Sequence, residues 1–175
     1  YPYYRQDPLT NRITDEFVLE LLENTLIKLL SIIKIRSWSH TRYSAGSPMY
    51  QNVTIGGQTV DGEDAVNDLS YLILDSVGRM RLTQPNLSVR FHRQISDDFM
   101  MACLKVIEKG FGMPAFNNDE IVIPALMELG VHKEDAFQYS AIGCIEIAVP
   151  GKWGYRCTGM SFLNFMRVFL AAMHD

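Results

Sequence analysis

The hydrophobic period of this chain switches repeatedly between that of a strand and that of a helix, and this alternation most narrows the folds open to it. "MYQNVTIGG" (49–57) is short, β-branched toward its end and closed by Gly56 and Gly57, which reads as a strand with a glycine stop. "DGEDAVNDLSYLILDSVGRM" (61–80) sets Ala65, Val66, Leu69, Leu72, Ile73 and Val77 on one helical face, with Asp61 as its N-cap. "PNLSVRFH" (85–92) reads as a strand, "SDDFMMACLKVIEKG" (96–110) as a helix from Ser96 to a glycine stop at Gly110, and "MPAF" (113–116) as a short extended piece. Alternation of this kind predicts an α/β fold, with βα units around a parallel sheet or barrel, right-handed crossovers and sites at the carboxyl ends of the strands.

The flanking segments fit the same plan. "DEFVLELLENTLIKLLSIIKI" (15–35) carries Phe17, Leu21, Leu22, Leu29 and Ile33 at helical spacing, with acids early and Lys late as the helix dipole favours. "NNDEIVIPALMELG" (117–130) has a cap at Asn117 or Asn118 and a stop at Gly130, while Pro124 either kinks the helix or marks a later start. "GMSFLNFMRVFLAAMH" (159–174) has an apolar helical face of Phe162, Phe165, Met166, Phe169 and Leu170.

At 175 residues, 47% of them hydrophobic, the chain can fill the core of a single domain. A net charge of −4 with scattered Lys and Arg argues against a nucleic-acid surface. No apolar run is long enough to span a membrane, and "YPYYRQDPLTNR" lacks the features of a signal peptide. Cys103, Cys144 and Cys157 have no disulfide rhythm, which favours a reducing, cytoplasmic compartment. With the four histidines they show no metal-ligand spacing, so no metal site is expected. Cys103, beside Val106 and Ile107, reads as core, and His92 as a hydrogen-bonded structural histidine; Cys157 is ambiguous.

The segment with most chemistry in it is "YSAIGCIEIAVPG" (139–151), where a thiol and a carboxylate, Cys144 and Glu146, interrupt an apolar run. A carboxylate is rarely buried without a partner, so Glu146 has either a partner, for which Lys152 and Arg156 are candidates, or a task. In a helix residues i and i+2 diverge by about 200°, whereas in extended backbone they share a face about 6.6 Å apart. If residues 141–148 are extended, Cys144 and Glu146 face one cavity, with Ile145 and Ile147 anchoring the other side. A neighbouring carboxylate raises a thiol's pKa and so disfavours thiolate nucleophilicity. It does not hinder a neutral S–H that gives up a hydrogen atom, and the carboxylate could then move a proton.

"GCIE" resembles the thiyl-radical loop of the glycyl radical enzymes, the pyruvate formate-lyase-like superfamily, and in particular its dehydratase and carbon–nitrogen lyase branch. "GSPMYQNVTIGG", "DGEDAVNDLSYLIL", "QPNLSVRFH", "GFGMPAFNND" and "EDAFQYSAIGCIE" extend that resemblance, in order, over most of the chain. It implies a ten-stranded α/β barrel of two half-barrels with the cysteine loop inside. It implies Cys144 as the thiyl carrier, Glu146 as the proton-transfer group, and Ser44 and Tyr50 as substrate-contacting residues, which without it would read as a turn serine and a packed aromatic. It also implies a small-molecule substrate, a homodimer and a radical S-adenosylmethionine activating enzyme. The family's Arg-Val-x-Gly-Tyr glycyl loop has no counterpart in "RVFLA" (167–171). Residues 1–175 are therefore expected to be the central barrel segment of a longer catalytic domain. No cofactor is expected to be bound in this segment, and the glycyl radical would come from a C-terminal loop outside it. Pyruvate formate-lyases carry two adjacent cysteines where this chain has Cys-Ile-Glu, so a formate C-acetyltransferase is the lesser alternative. A non-catalytic scaffold that keeps the fold is another.

Overall fold

The computed structural model describes residues 1–9, 13–33, 35, 37–43, 50–154 and 165–174. Three N-terminal helices, α1 (Pro2–Leu9), α2 (Asp15–Leu30) and α3 (Trp38–Tyr43), precede a run of β1 (Asn52–Gly56), α4 (Asp68–Met80), β2 (Asn86–Phe91), α5 (Asp97–Ile107) and β3 (Ala115–Asn118). The three strands pair in parallel in the order β1-β2-β3, with Asn52 beside Asn86 and Ser88 beside Ala115. This is the strand–helix alternation expected from the sequence. Helices α6 (Asp119–Glu128) and α7 (Lys133–Ala136) follow. The antiparallel strands β4 (Ser140–Ile142), β5 (Glu146–Val149) and β6 (Trp153–Gly154) come next, and α8 (Phe165–His174) closes the described chain.

Several boundaries differ from the sequence expectation. The helix expected to be capped by Asp61 starts six residues later: Asn67 caps it, accepting from the Leu69 N–H at 3.1 Å, while Ser70 Oγ accepts from the Asn67 N–H at 3.3 Å. This capping box satisfies donors that a lone acid at 61 could not reach, because residues 58–64 instead close a loop through a Gln58–Asp64 bridge. Helix α2 stops at Leu30 rather than residue 35 and buries Val18, Leu19 and Leu26, so its packed face is rotated from the expected stripe, leaving Phe17, Leu21 and Ile33 exposed. Asn118 caps α6, and Pro124 sits inside that helix. Ser96 precedes α5 without a side-chain cap bond. Gly56 (φ 76°) and Gly57 (φ 87°) end β1 as expected; a Cβ on Gly56 would lie 2.6 Å from the Arg90 carbonyl oxygen.

The sheet has two unlike faces. Because side chains alternate along a strand, Ile55, Leu87 and Val89 point to the side covered by α2, α4 and α5. There they form one core with Leu26, Leu74, Val77, Phe99, Cys103, Val106 and Met113. Cys103 is fully buried in it, as expected, and burial pushes its thiol pKa up to about 11. Asn52, Thr54, Asn86, Ser88 and Arg90 point to the opposite side and make that face polar. A second cluster of Ile123, Leu126, Ala136 and Tyr139, joined by Ile147, ties α6 and α7 to the β4–β5 hairpin.

Candidate functional site at the hairpin tip

Strand β4 crosses the polar face of the parallel sheet and is held at three points. At its root, Tyr139 meets Arg90 and Asp119. Asp119, fully buried, accepts four hydrogen bonds: from Arg90 Nε (2.9 Å) and Nη2 (2.8 Å), from the Tyr139 hydroxyl (2.7 Å) and from the Gln58 N–H (3.1 Å). Arg90 Nη1 donates to the carbonyls of Phe137 (2.9 Å) and Tyr139 (3.1 Å), and the guanidinium carbon lies 4.1 Å from the Tyr139 ring centroid. Burial, and then the hydrogen bond to Asp119, push the Tyr139 pKa upward, so its hydroxyl stays a donor. Midway, the Ala141 N–H donates to Thr54 Oγ1 at 3.1 Å. At the tip, Asn52 Nδ2 donates to the Cys144 carbonyl at 3.0 Å, and Asn86 Nδ2 donates to the Gly143 (3.2 Å) and Cys144 (3.5 Å) carbonyls.

The tip itself is a turn. Ile142 pairs with Glu146, and Gly143, Cys144 and Ile145 form the connection between β4 and β5. This corrects the expectation of extended backbone through residues 141–148. Ile145 is 62% exposed and anchors nothing, whereas Ile147 does pack into the core beneath. The turn, not a shared strand face, brings Glu146 to Cys144. Its Oε2 accepts from the backbone N–H of Cys144 (2.9 Å) and of Ile145 (3.1 Å). Gly143 makes that fold-back sterically possible, for at φ 59° a Cβ there would lie 2.7 Å from Glu146 Oε2. The alternative partner Lys152 is engaged with Asp135 at 2.5 Å, and Arg156 lies outside the described residues.

Cys144 is exposed and Glu146 half-buried, so the thiol is presented to whatever faces the tip. The tip lies at the amino ends of β1 and β2, not at the carboxyl ends where parallel sheets usually place their sites. The hairpin reverses direction over the sheet and carries its turn to the opposite edge. Tyr50, half-buried, enters β1 two residues before Asn52 from a left-handed backbone (φ 55°). Ser44 lies outside the described residues, as does Cys157. His92 is structural, as expected: its Nδ1 accepts from the Gln94 N–H at 3.3 Å, which leaves Nε2 to donate to Asp64 at 3.4 Å.

Asn52, Asn86, Arg90 and Asp119 were not singled out from the sequence. The signal available was the polar residue at every second position of two strands, 52, 54 and 86, 88, 90, which marks a face turned away from the helices. Among the described residues no three His, Cys, Asp or Glu side chains converge as metal ligands would. No helix there is long and apolar enough to cross a membrane.

The family model described as pyruvate formate lyase-like matches residues 1–175. The "Probable dehydratase YbiW" of Escherichia coli (strain K12) is 64% identical over 182 residues, covering 100% of this chain and 22% of that protein. The isethionate sulfite-lyase of Bilophila wadsworthia (strain 3_1_6) is 35% identical over 176 residues, covering 100% of this chain and 21% of that protein. Among solved structures, the glycerol-bound B12-independent glycerol dehydratase from Clostridium butyricum superposes with a TM-score of 0.77 at 44% identity, over 80% of this chain and 18% of that one. The chain thus spans about a fifth of the length of these relatives.

Proposed function

The chain belongs to the pyruvate formate lyase-like family, the glycyl radical enzymes, and from that premise we propose that it is the central, thiol-bearing segment of a glycyl radical lyase or dehydratase. The observation that carries this reading is the exposed thiol at the tip of a tightly tied hairpin, with a carboxylate latched to the N–H of the same residue. In the complete enzyme β1–β3 would be neighbouring strands of a ten-stranded α/β barrel, with their polar face turned inward and the hairpin as the inner finger. The donor set suits hydrogen-atom chemistry, since a neutral S–H is compatible with a nearby carboxylate. The glycyl radical, held on a C-terminal loop outside these residues and installed by a radical S-adenosylmethionine activating enzyme, would supply the group that removes the thiol hydrogen.

The thiyl sulfur of Cys144 would then take a hydrogen atom from a substrate carbon and return it to the product radical, which leaves the thiyl again, and the thiol would be restored when the sulfur takes back the hydrogen first given to the glycine. Glu146 Oε2 stays on the two turn N–H groups, which leaves Oε1 to accept a proton from a substrate hydroxyl and pass it to the leaving group. Water, an amine or sulfite would leave in this way from a small polar substrate. Tyr50 and Ser44, preceding β1, would contact that substrate. The enzyme would act as a homodimer in a reducing, cytoplasmic setting.

The test is anaerobic activation of the full-length protein, followed by assays with glycerol and isethionate. Consumption of either, its loss in Cys144→Ser with the glycyl electron paramagnetic resonance doublet retained, and its loss in Glu146→Gln are expected. Turnover by Cys144→Ser near the wild-type rate would end this reading, as would failure of the wild type to consume either compound.

A further inference from the structure

The thiol's position must be held closely if it is to exchange hydrogen atoms with two partners in turn, because misplacement by about 1 Å can cost on the order of a hundredfold in rate. A three-residue turn has no such rigidity of its own. Here the two peptide planes that flank the Cys144 Cα are pinned from opposite sides. The N–H side is taken up by Glu146 Oε2. The carbonyl side is taken up by two side-chain amides that reach across from the parallel sheet, Asn52 and Asn86. These are the first residues of β1 and β2 and lie in register beside each other, on the same face of the sheet. Asn86 is steadied in turn by Gln84, whose Nε2 donates to Asn86 Oδ1 at 3.3 Å.

The orientation of Asn52 carries a cost that identifies what it serves. With Nδ2 turned to the Cys144 carbonyl, its Oδ1 is buried with no hydrogen-bond partner among the described residues. A buried amide left half-satisfied is unfavourable, and an apolar residue of similar size would avoid that penalty. The donating end of the carboxamide is spent on the carbonyl of the thiol-bearing residue.

We propose that Asn52 and Asn86 are positioning residues that fix the direction of the Cys144 Cα–Cβ bond, and thereby the path of the thiol hydrogen, through the two tip carbonyls. The inference rests on the functional reading above and extends it to two residues that do not touch the reacting atoms. It is tested in the full-length activated enzyme with Asn52→Asp, which is nearly isosteric but sets an acceptor against the carbonyl, and with Asn52→Ala and Asn86→Ala.

Glycyl radical content, kcat, KM and the primary deuterium isotope effect are measured on whichever of glycerol and isethionate the wild type consumes faster. Radical content within twofold and KM within threefold of wild type, kcat reduced at least tenfold and a larger isotope effect on kcat are expected, because hydrogen transfer becomes the slow step. A purely structural contribution would not raise the isotope effect. Wild-type kcat and isotope effect, a change confined to KM, or a loss of kcat that only follows lost radical or lost protein would each overturn the proposal. Cys144→Ser separates the two levels of argument. If it is inactive while the asparagine variants behave as wild type, the positioning role alone fails; if it turns over, the functional reading fails irrespective of the asparagines.

Discussion

Replacing Asp119 by Ala should be among the most destabilising single changes in the chain. The carboxylate is fully buried and receives four hydrogen bonds, two of them from Arg90, whose side chain is itself only 8% exposed. Its removal leaves a guanidinium in the interior without its counter-charge, for which about 3–5 kcal/mol is the usual cost. The Tyr139 hydroxyl and the Gln58 N–H also lose their acceptor, so the upper half of that range is expected. Arg90→Met should cost a similar amount, because it orphans Asp119 and the carbonyls of Phe137 and Tyr139. The double variant Arg90→Met/Asp119→Ala should fall short of the sum of the singles by at least about 2 kcal/mol, since neither buried charge then remains. Urea denaturation followed by intrinsic fluorescence measures all three. The exposed Arg79–Asp75 pair, 2.7 Å apart one helical turn from each other, serves as an internal contrast, and Arg79→Ala should leave the unfolding midpoint almost unchanged. A loss below about 1 kcal/mol for Asp119→Ala, or strict additivity in the double variant, would refute the view that this ion pair clamps the root of the hairpin.

Gly143→Ala should destabilise the hairpin by about 1–3 kcal/mol, since φ 59° is strained for any residue with a Cβ and the new methyl would displace the Glu146 carboxylate; unchanged amide exchange at Cys144 and Ile145 would contradict this. Glu146→Gln should keep that turn, because its amide oxygen still accepts both N–H groups, whereas Glu146→Ala should lose it, and equal exchange protection in the two variants would show that the latch is not formed by this side chain. Stability should also fall at alkaline pH through Cys103. Its folded pKa is raised to about 11, so below the ordinary thiol range both states are protonated and the contribution is intact, and it is lost as pH rises toward 11. The loss amounts to about 3 kcal/mol, and Cys103→Ala should delay the decline until the tyrosines begin to ionise; a thermal-midpoint profile identical to wild type between pH 8 and 10 would count against it.

The strand–helix alternation, the glycine stop after β1 and the burial of Cys103 were legible in the sequence, because each depends on local periodicity or on a backbone conformation that few residues adopt. That Cys144 and Glu146 stand out as candidates was also legible, since a thiol and a carboxylate in an apolar run are conspicuous wherever they fold. Their geometry was not. A three-residue turn and a strand of the same composition differ only in whether the chain pairs with itself, and the pairing of Ile142 with Glu146 depends on β4 lying across a sheet built from residues some 50 to 90 positions earlier. The helix cap falls at Asn67 and not at Asp61 for a related reason, as the intervening residues are held by a loop that closes on Gln58. Sequence by itself determined which residues are apolar, acidic or sulfur-bearing, and with what period they recur. Tertiary structure alone decided that the polar positions of β1 and β2 lie side by side and that a hairpin crosses them from root to tip. It therefore set the thiol at the amino edge of the sheet, because a hydrogen bond between residues 92 positions apart has no signature in local periodicity.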